Sequence, residues 1–261
     1  MSIPLRSPDE IESIARAGRV VWHVLGELLS ACAPGVTDHE LDELASGLLR
    51  AHDAQPLTLG LAREGQHPFP GVCCVNINAV AAHQLPTARA IEAGVVLSVD
   101  LSASLDGWCA DACRSVVVGG GRPESARLCA GATACLEGGL LACRPGAMWS
   151  EVATEMLAAA HELGLTIVPG LGGHGIGRSL HESPLAWIDP PGPDFRLCPG
   201  IVLTLEPAVT LGPGQTKTLA DGWTLRTRGG ARAACEERTI AITPEGPRVL
   251  TGPGAVMGGR A

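Results

Sequence analysis

A repeated motif suggests that the chain consists of two similar halves. The stretches CAPGVTDHELDELASGLLRAH (32–52) and CRPGAMWSEVATEMLAAAH (143–161) share a Cys-x-Pro-Gly turn, a helix-favouring run and a final histidine, and they begin 111 residues apart. About 60 residues after each turn, an acidic residue interrupts an apolar run, Asp100 in one half and Glu206 in the other. Chance can produce any one of these coincidences. Together they favour a duplicated αβ unit whose halves face each other across a cleft.

Capping sequences and turn residues predict where the helices begin and end. Ser7 and Glu10 match the capping box of a helix start, and Thr37 and Glu40 repeat the pattern. The four predicted helices run from residue 8 to the turn APGVT, and over 38–52, 123–143 and 150–163. Runs rich in β-branched residues and bounded by turns predict strands within 71–83, 95–119, 201–211 and 234–243. The fold class expected from this order is α+β.

Composition excludes several classes of protein. The net charge of −8 argues against a nucleic-acid binder, which usually has a basic face. No run of about 18 apolar residues predicts a membrane span, and the N-terminus lacks the apolar region of a secretory signal. The ten cysteines are scattered and no secretory signal is predicted, so we expect reduced thiols. We also expect a cytoplasmic location and a monomeric state. We predict one catalytic domain over 1–251 and a flexible tail over 252–261.

A glycine-rich stretch contains two histidines. GLGGHGIGRSLHES (170–183) has five glycines in its first eight residues and places His174 and His181 seven residues apart. Because each glycine costs about 1 kcal/mol in a helix relative to alanine, the stretch predicts a loop or strand edge. Glycine also allows the backbone to approach other groups closely, so we expect the imidazoles to lie at a crowded site.

Four acidic residues occur where the strand pattern expects apolar ones, namely Asp100, Asp111, Glu206 and Glu237. Any one of them taken singly is compatible with a bend or a water-facing edge. A carboxylate inside an apolar strand is expensive to bury unless it is paired or binds a metal. Only Arg114 and Arg238 lie near these residues in the sequence. Two divalent cations would balance the charge, and carboxylates with one imidazole suit Mn, Fe or Co, with Zn also compatible.

Several motifs resemble those of the type I methionine aminopeptidases. They are GGHGIGRSLHESP, SVDLSASLDGWCADACRS, LTLEPAV, DGWTLRT and EERTIAIT, and their order and spacing agree from the first helix to about Thr251. The resemblance implies the pita-bread fold, a pseudo-twofold pair of αβ halves with a curved central antiparallel sheet and outer helices. It also implies removal of the N-terminal residue, most often methionine, from a peptide or nascent protein.

The resemblance assigns roles to particular residues. The implied metal ligands are Asp100, Asp111, His174, Glu206 and Glu237. In the implied mechanism two cations activate a water molecule, Glu206 relays its proton, and His181 hydrogen-bonds the substrate carbonyl and the developing oxyanion. His83 would contact the scissile amide nitrogen. The plainer alternatives are a turn residue for His83 and a solvent-facing loop residue for His181.

The implied methionine pocket differs from the family pattern. Cys74 and Trp223 match it, and Phe69 replaces a tyrosine; these three are the expected pocket residues besides the two histidines. The other differences are Gln66 in place of a tyrosine, Leu180 in place of an aromatic residue, and Arg63 near a position that is usually small. Two alternatives follow: a di-metal aminopeptidase or amide hydrolase for a non-methionyl substrate, and a non-catalytic module that binds a partner protein.

Overall fold

The computed structural model describes residues 2–62, 65–190 and 192–254, and these form four α-helices and fifteen β-strands. The helices are α1 (Pro8–Ala31), α2 (Asp38–Ala51), α3 (Pro123–Ala142) and α4 (Trp149–Glu162). The strands of the first half are β1 (Gln55–Pro56), β2 (Cys74–Ile77), β3 (Val80–Ala82), β4 (Val96–Leu105) and β5 (Trp108–Val117). Those of the second half are β6 (Thr166–Ile167), β7 (Gly172–Gly175), β8 (Glu182–Trp187), β9 (Val202–Leu205), β10 (Ala208–Thr210), β11 (Thr216–Thr218), β12 (Leu225–Thr227), β13 (Ala233–Cys235), β14 (Arg238–Thr243) and β15 (Gly246–Val249).

The predicted helix starts are confirmed by their capping contacts. The Ser7 hydroxyl accepts the backbone N–H of Glu10, whose carboxylate accepts the N–H of Ser7 in return. Thr37 and Glu40 form the same box at α2. Each box satisfies backbone donors that the first helical turn leaves without partners. All four predicted helices and all four predicted strand regions are present.

The strands form four antiparallel sheets. The first half contains a sheet in the order β1-β4-β2, with β5 also paired to β4, and the second half contains the order β15-β14-β9-β7-β8. Two three-stranded sheets have the orders β13-β10-β6 and β11-β12-β3. The two halves meet where the Glu237 N–H donates to the Cys113 carbonyl at 2.9 Å, so the middle of β5 lies against the start of β14.

Each half has its own apolar core beneath a pair of helices. In the first, α1 and α2 pack through residues such as Val21 and Leu49 against the β4–β5 hairpin. In the second, α3 and α4 pack through Leu128 and Met156 against the sheet that contains β9 and β14. In each half, two helices precede an apolar strand with one acidic residue, Asp100 on β4 or Glu206 directly after β9, in agreement with the predicted duplication.

Three further expectations concern the whole chain. All ten cysteines are free thiols, as predicted. Among the described residues, no helix has the length and apolarity needed to cross a bilayer. Thr251 is buried, and its hydroxyl accepts the Thr239 N–H at 2.8 Å, so the packed structure continues to that position. Most of the predicted tail, residues 255–261, lies outside the described residues, and the predicted domain boundaries stay a prediction.

Candidate metal centre and active site

The β4–β5 hairpin presents two of the predicted ligands on one face. Asp100 is paired with Cys113 across the hairpin, and Asp111 is paired with Ser102. Side chains two residues apart on a strand share a face, and so do directly paired residues. Asp100 and Asp111 are therefore diagonal neighbours on the same face of the sheet, although eleven positions separate them in the chain.

The second half supplies the other three predicted ligands. His174 lies on β7, Glu206 directly follows β9, and Glu237 directly precedes β14. Gly173 lets β7 approach β9 closely, because a Cβ atom at this position would overlap the Thr204 carbonyl. A bulkier residue at position 173 would therefore push the His174 imidazole away from the neighbouring strand.

The five predicted ligands line a single cavity of about 210 Å³, together with His83, His181 and the three predicted pocket residues. Ligand-type atoms of Asp111, His174 and Glu237 all lie within 4.8 Å of one another. The Nε2 atom of His174 lies 3.9 Å from Asp111 Oδ2 and 3.7 Å from Glu206 Oε1. Residues on or next to five strands, β4, β5, β7, β9 and β14, thus converge on one small volume.

The electrostatics of this volume are unfavourable without a cation. Burial, followed by the charge of Asp100, raises the pKa of Asp111 well above its usual value. Burial also raises the pKa of Asp100 to about 6, and it is the largest cause of the raised pKa values of Glu206 and Glu237. Among the described residues, no lysine or arginine lines the cavity. Four carboxylates therefore face one another with no cationic side chain between them.

The donor set fits a divalent metal. Asp111 Oδ1 and Glu237 Oε1 are buried oxygens with no hydrogen-bond partner within the described residues. Burial, with a further contribution from His181, lowers the pKa of His174 to about 4, so its imidazole is neutral at physiological pH. A neutral imidazole and ionised carboxylates are the forms that bind metals, and oxygen-rich sets with one nitrogen suit first-row cations.

Two threonines next to the ligands were not identified from the sequence. The Thr204 hydroxyl accepts the His174 N–H at 3.0 Å and donates to Glu206 Oε1 at 3.1 Å. The Thr239 hydroxyl accepts the Asp111 N–H at 3.0 Å and donates to the Asp111 carbonyl at 2.9 Å. Both threonines lie two residues from a predicted ligand on the same strand face, so strand periodicity could have identified them.

Arg238 also has partners that the sequence did not reveal. Its guanidinium donates to the Glu237 carbonyl at 2.6 Å and to Glu236 Oε2 at 3.2 Å, and it lies 4.4 Å from the centre of the Trp22 ring. In the structure, the positive charge of Arg238 is paired with the Glu236 carboxylate and with the backbone carbonyl of Glu237.

The two predicted catalytic histidines both line the cavity. The ring of His181 is 4.4 Å from that of His174, centre to centre. His83 has a backbone φ of 59°, a left-handed conformation that is uncommon for a residue with a side chain and is enriched at functional sites. Its ring lies 6.3 Å from the ring of Trp223. Both imidazoles thus border the same space as the carboxylates.

An apolar recess adjoins the carboxylates. Phe69 and Trp223 meet edge to face at 5.3 Å, and Cys74 and Leu61 pack with them. The Trp223 indole N–H donates to the His67 carbonyl at 2.8 Å, which fixes the ring. This recess is lined by aromatic, aliphatic and sulfur-containing side chains, a composition that suits an apolar group.

The positions that differ from the family pattern have different locations in the structure. Leu180 lines the cavity. Gln66 instead donates its side-chain N–H to the Gly222 carbonyl at 2.6 Å, so it supports the turn that carries Trp223. Arg63 lies outside the described residues.

A buried group of four carboxylates and one neutral imidazole between duplicated αβ halves, beside an apolar recess, defines a metallohydrolase of the pita-bread class. Comparison with known proteins agrees. The profile of metallopeptidase family M24 matches residues 12–244. Methionine aminopeptidase 1 of Mycobacterium tuberculosis is 38% identical over 257 residues, covering 95% of each chain. Methionine aminopeptidase of Treponema pallidum is 35% identical over 253 residues, covering 96% of this chain and 97% of the relative.

The crystal structure of methionine aminopeptidase from Rickettsia prowazekii superposes with a TM-score of 0.90 at 27% identity, covering 96% of this chain and all of that one. The chain therefore belongs to metallopeptidase family M24, and within it to the methionine aminopeptidases. The predicted pita-bread fold is confirmed, and the enzyme is a hydrolase that depends on divalent metal.

Proposed function

We propose that the chain removes N-terminal methionine from peptides and nascent proteins by metal-dependent hydrolysis. The observation that supports this most strongly is the convergence of Asp111, His174 and Glu237 within 4.8 Å, with Glu206 3.7 Å from the same imidazole. A structural role does not require buried carboxylates without counter-charges, because such a cluster destabilises the fold. The alternative of a non-catalytic binding module is not favoured for this reason.

Asp100, Asp111, His174, Glu206 and Glu237 would hold two divalent cations. When bound, such a pair lowers the pKa of water and supplies hydroxide at neutral pH. The Oε1 atom of Glu206 accepts the Thr204 hydroxyl at 3.1 Å and its carboxylate lines the cavity, and Glu206 would accept and return the proton. The identity of the metal among Co, Mn, Fe and Zn is open to the test below.

The two histidines would act on the substrate peptide bond. His181 is placed beside His174 and would donate a hydrogen bond to the substrate carbonyl, where negative charge develops in the transition state. His83, held by its left-handed backbone and facing Trp223, would contact the scissile amide nitrogen. These two contacts would orient the first peptide bond of the substrate over the metal centre.

The apolar recess would select the methionine side chain. Phe69, Cys74 and Trp223 are each buried and enclose a space next to the predicted ligands. A thioether side chain makes favourable contacts with aromatic rings. The relatives named above are methionine aminopeptidases, so a non-methionyl specificity has no support from them.

Peptide hydrolysis with controlled metal content tests the proposal. The purified protein is stripped with chelator, reloaded separately with Mn²⁺, Co²⁺, Fe²⁺ or Zn²⁺, and supplied with Met-Ala-Ser, Leu-Ala-Ser and Ala-Ala-Ser. We expect rapid release of methionine only, and only with metal present. His174→Ala should abolish it, whereas His161→Ala, at the exposed end of α4, should not.

Preferred release of another residue would support the non-methionyl alternative, and metal binding without any hydrolysis would support the binding module. The expected monomeric state and cytoplasmic location stay predictions, to be checked by light scattering and by cell fractionation. Absence of nucleic-acid and membrane partners also stays a prediction.

A further inference from the structure

The loop that contains His181 connects β7 to β8 and has few regular backbone bonds. Within it, the Gly177 N–H donates to the Ser179 carbonyl at 3.2 Å, and the Gly177 carbonyl accepts the Cys109 N–H at 2.8 Å. The Ile176 N–H donates to the Val202 carbonyl at 3.2 Å, whereas the backbone amides of Arg178 and Ser179 are bonded to a side chain. The position of His181 therefore depends on the side chain that accepts these amides.

That side chain belongs to Glu182, the residue directly after His181. Its Oε1 atom accepts the backbone N–H of Arg178 at 2.8 Å and that of Ser179 at 3.0 Å. Its Oε2 atom accepts the guanidinium of Arg6. The exposed fractions of the Arg6 and Glu182 side chains are 13% and 15%, so the pair is largely withdrawn from water. One carboxylate thus joins the loop backbone to a charge 176 positions earlier in the chain.

Arg6 is itself held in place from several sides. Arg6 lies just before α1, and its backbone N–H donates to the Gly200 carbonyl at 2.7 Å. Its guanidinium lies directly against Gly177, where a Cβ atom would overlap it. It also lies 5.5 Å from the centre of the Trp108 ring, and Arg178 lies over the same ring at 3.7 Å. The N-terminal segment therefore reaches under the loop and packs against it.

We propose that Arg6 and Glu182 are positioning residues for His181: the ion pair fixes the loop so that the His181 imidazole stays over the substrate carbonyl. This inference rests on the proposed function, and neither residue touches the metal centre. A partly buried carboxylate that loses its counter-charge is destabilised, because its desolvation is no longer compensated. The loop then gains freedom, and displacements of about 1 Å at a reacting group can cost about 100-fold in rate.

Kinetics of single variants give the first part of the test. Arg6→Met keeps the length and apolar character of the side chain and removes its charge. We expect its kcat on Met-Ala-Ser to fall about tenfold or more, with KM changed less than about twofold. Arg6→Lys should recover most of the loss, since it restores the charge. Mn²⁺ affinity measured by calorimetry should be unchanged, because no predicted ligand is altered. The matched control is Arg89→Met, which breaks an exposed ion pair with Glu92.

A double-mutant comparison gives the second part. If Arg6 acts through His181, then Arg6→Met should cost nothing further in a His181→Ala background, whereas independent effects would multiply. Glu182→Gln, which keeps the acceptor atom for the loop amides, should reproduce the loss seen in Arg6→Met and should serve as the test if the latter does not fold.

Each outcome has a defined meaning. Wild-type protein that releases no methionine with any metal contradicts the proposed function. Wild-type activity together with unchanged kcat in both Arg6→Met and Glu182→Gln overturns the positioning role. An undiminished loss in the His181→Ala background overturns it as well, since Arg6 would then act elsewhere.

Discussion

The metal-free protein should lose stability as the pH rises, because its buried carboxylates must then ionise without a counter-charge. Burial raises the pKa of Asp100 to about 6, compared with about 3.9 for an unfolded aspartate. At pH values between these two pKa values, the folded state of such an acid binds more protons than the unfolded state. Its folded form is therefore destabilised progressively from about pH 4 upward, and the loss is complete above about pH 6.

The size of this effect follows from the shift. Two pKa units correspond to about 3 kcal/mol, of which about half is lost above pH 5. For a chain of this size, 1 kcal/mol moves Tm by about 2–4 °C, so Asp100 alone should lower the Tm by about 3–6 °C between pH 5 and pH 7. Asp111, Glu206 and Glu237 also have raised pKa values and should add to the loss.

Thermal melting followed by circular dichroism in excess chelator measures this loss. Asp100→Asn is the control, because the amide has the same shape and cannot ionise, and its Tm should fall less over the same range. Saturating Mn²⁺ should reverse the trend in the wild-type protein, since metal competes with protons for the carboxylates. A metal-free wild-type Tm that is constant or rises from pH 5 to pH 7, or an equal slope in Asp100→Asn, would refute the reasoning.

Two further predictions concern residues around the ligands. Thr239→Val should lower the free energy of unfolding by about 1–3 kcal/mol in urea titrations, because the buried Asp111 N–H loses its acceptor, while Thr239→Ser should cost less. Equal stability of the two variants would contradict this role for the hydroxyl. Gly173→Ala should weaken Mn²⁺ binding at least about tenfold in calorimetry, because the new methyl group displaces β7 and His174. Gly47→Ala, in open space on a helix, should leave the affinity unchanged.

Much of the fold could be predicted from local sequence signals. Ser7 and Glu10, like Thr37 and Glu40, define helix starts through contacts between residues only three positions apart. Strand regions could be predicted because β-branched runs alternate with turns. The acidic residues stood out because each occupies a position that strand periodicity assigns to an apolar side chain. That signal is chemical and does not depend on knowing which strands meet.

Long-range pairing could not be predicted in the same way. The described strands pair into four sheets, and nothing in a single strand specifies which partner it will have. The Arg6–Glu182 ion pair and the long-range contacts of Arg238 illustrate the same limit. Arg6 and Glu182 lie at distant positions, and Arg238 has aromatic and backbone partners that come from other elements. Strand periodicity could have placed Thr204 and Thr239 on the same face as the ligands, but threonine is common in strands and did not stand out.

A crystal structure of the Mn²⁺-loaded protein, with anomalous scattering data, tests the central claim most directly. The account predicts two anomalous peaks about 3.5–4 Å apart, bounded by Asp100, Asp111, His174, Glu206 and Glu237. Active protein crystallised with Mn²⁺ whose anomalous peaks all lie away from these side chains would contradict it.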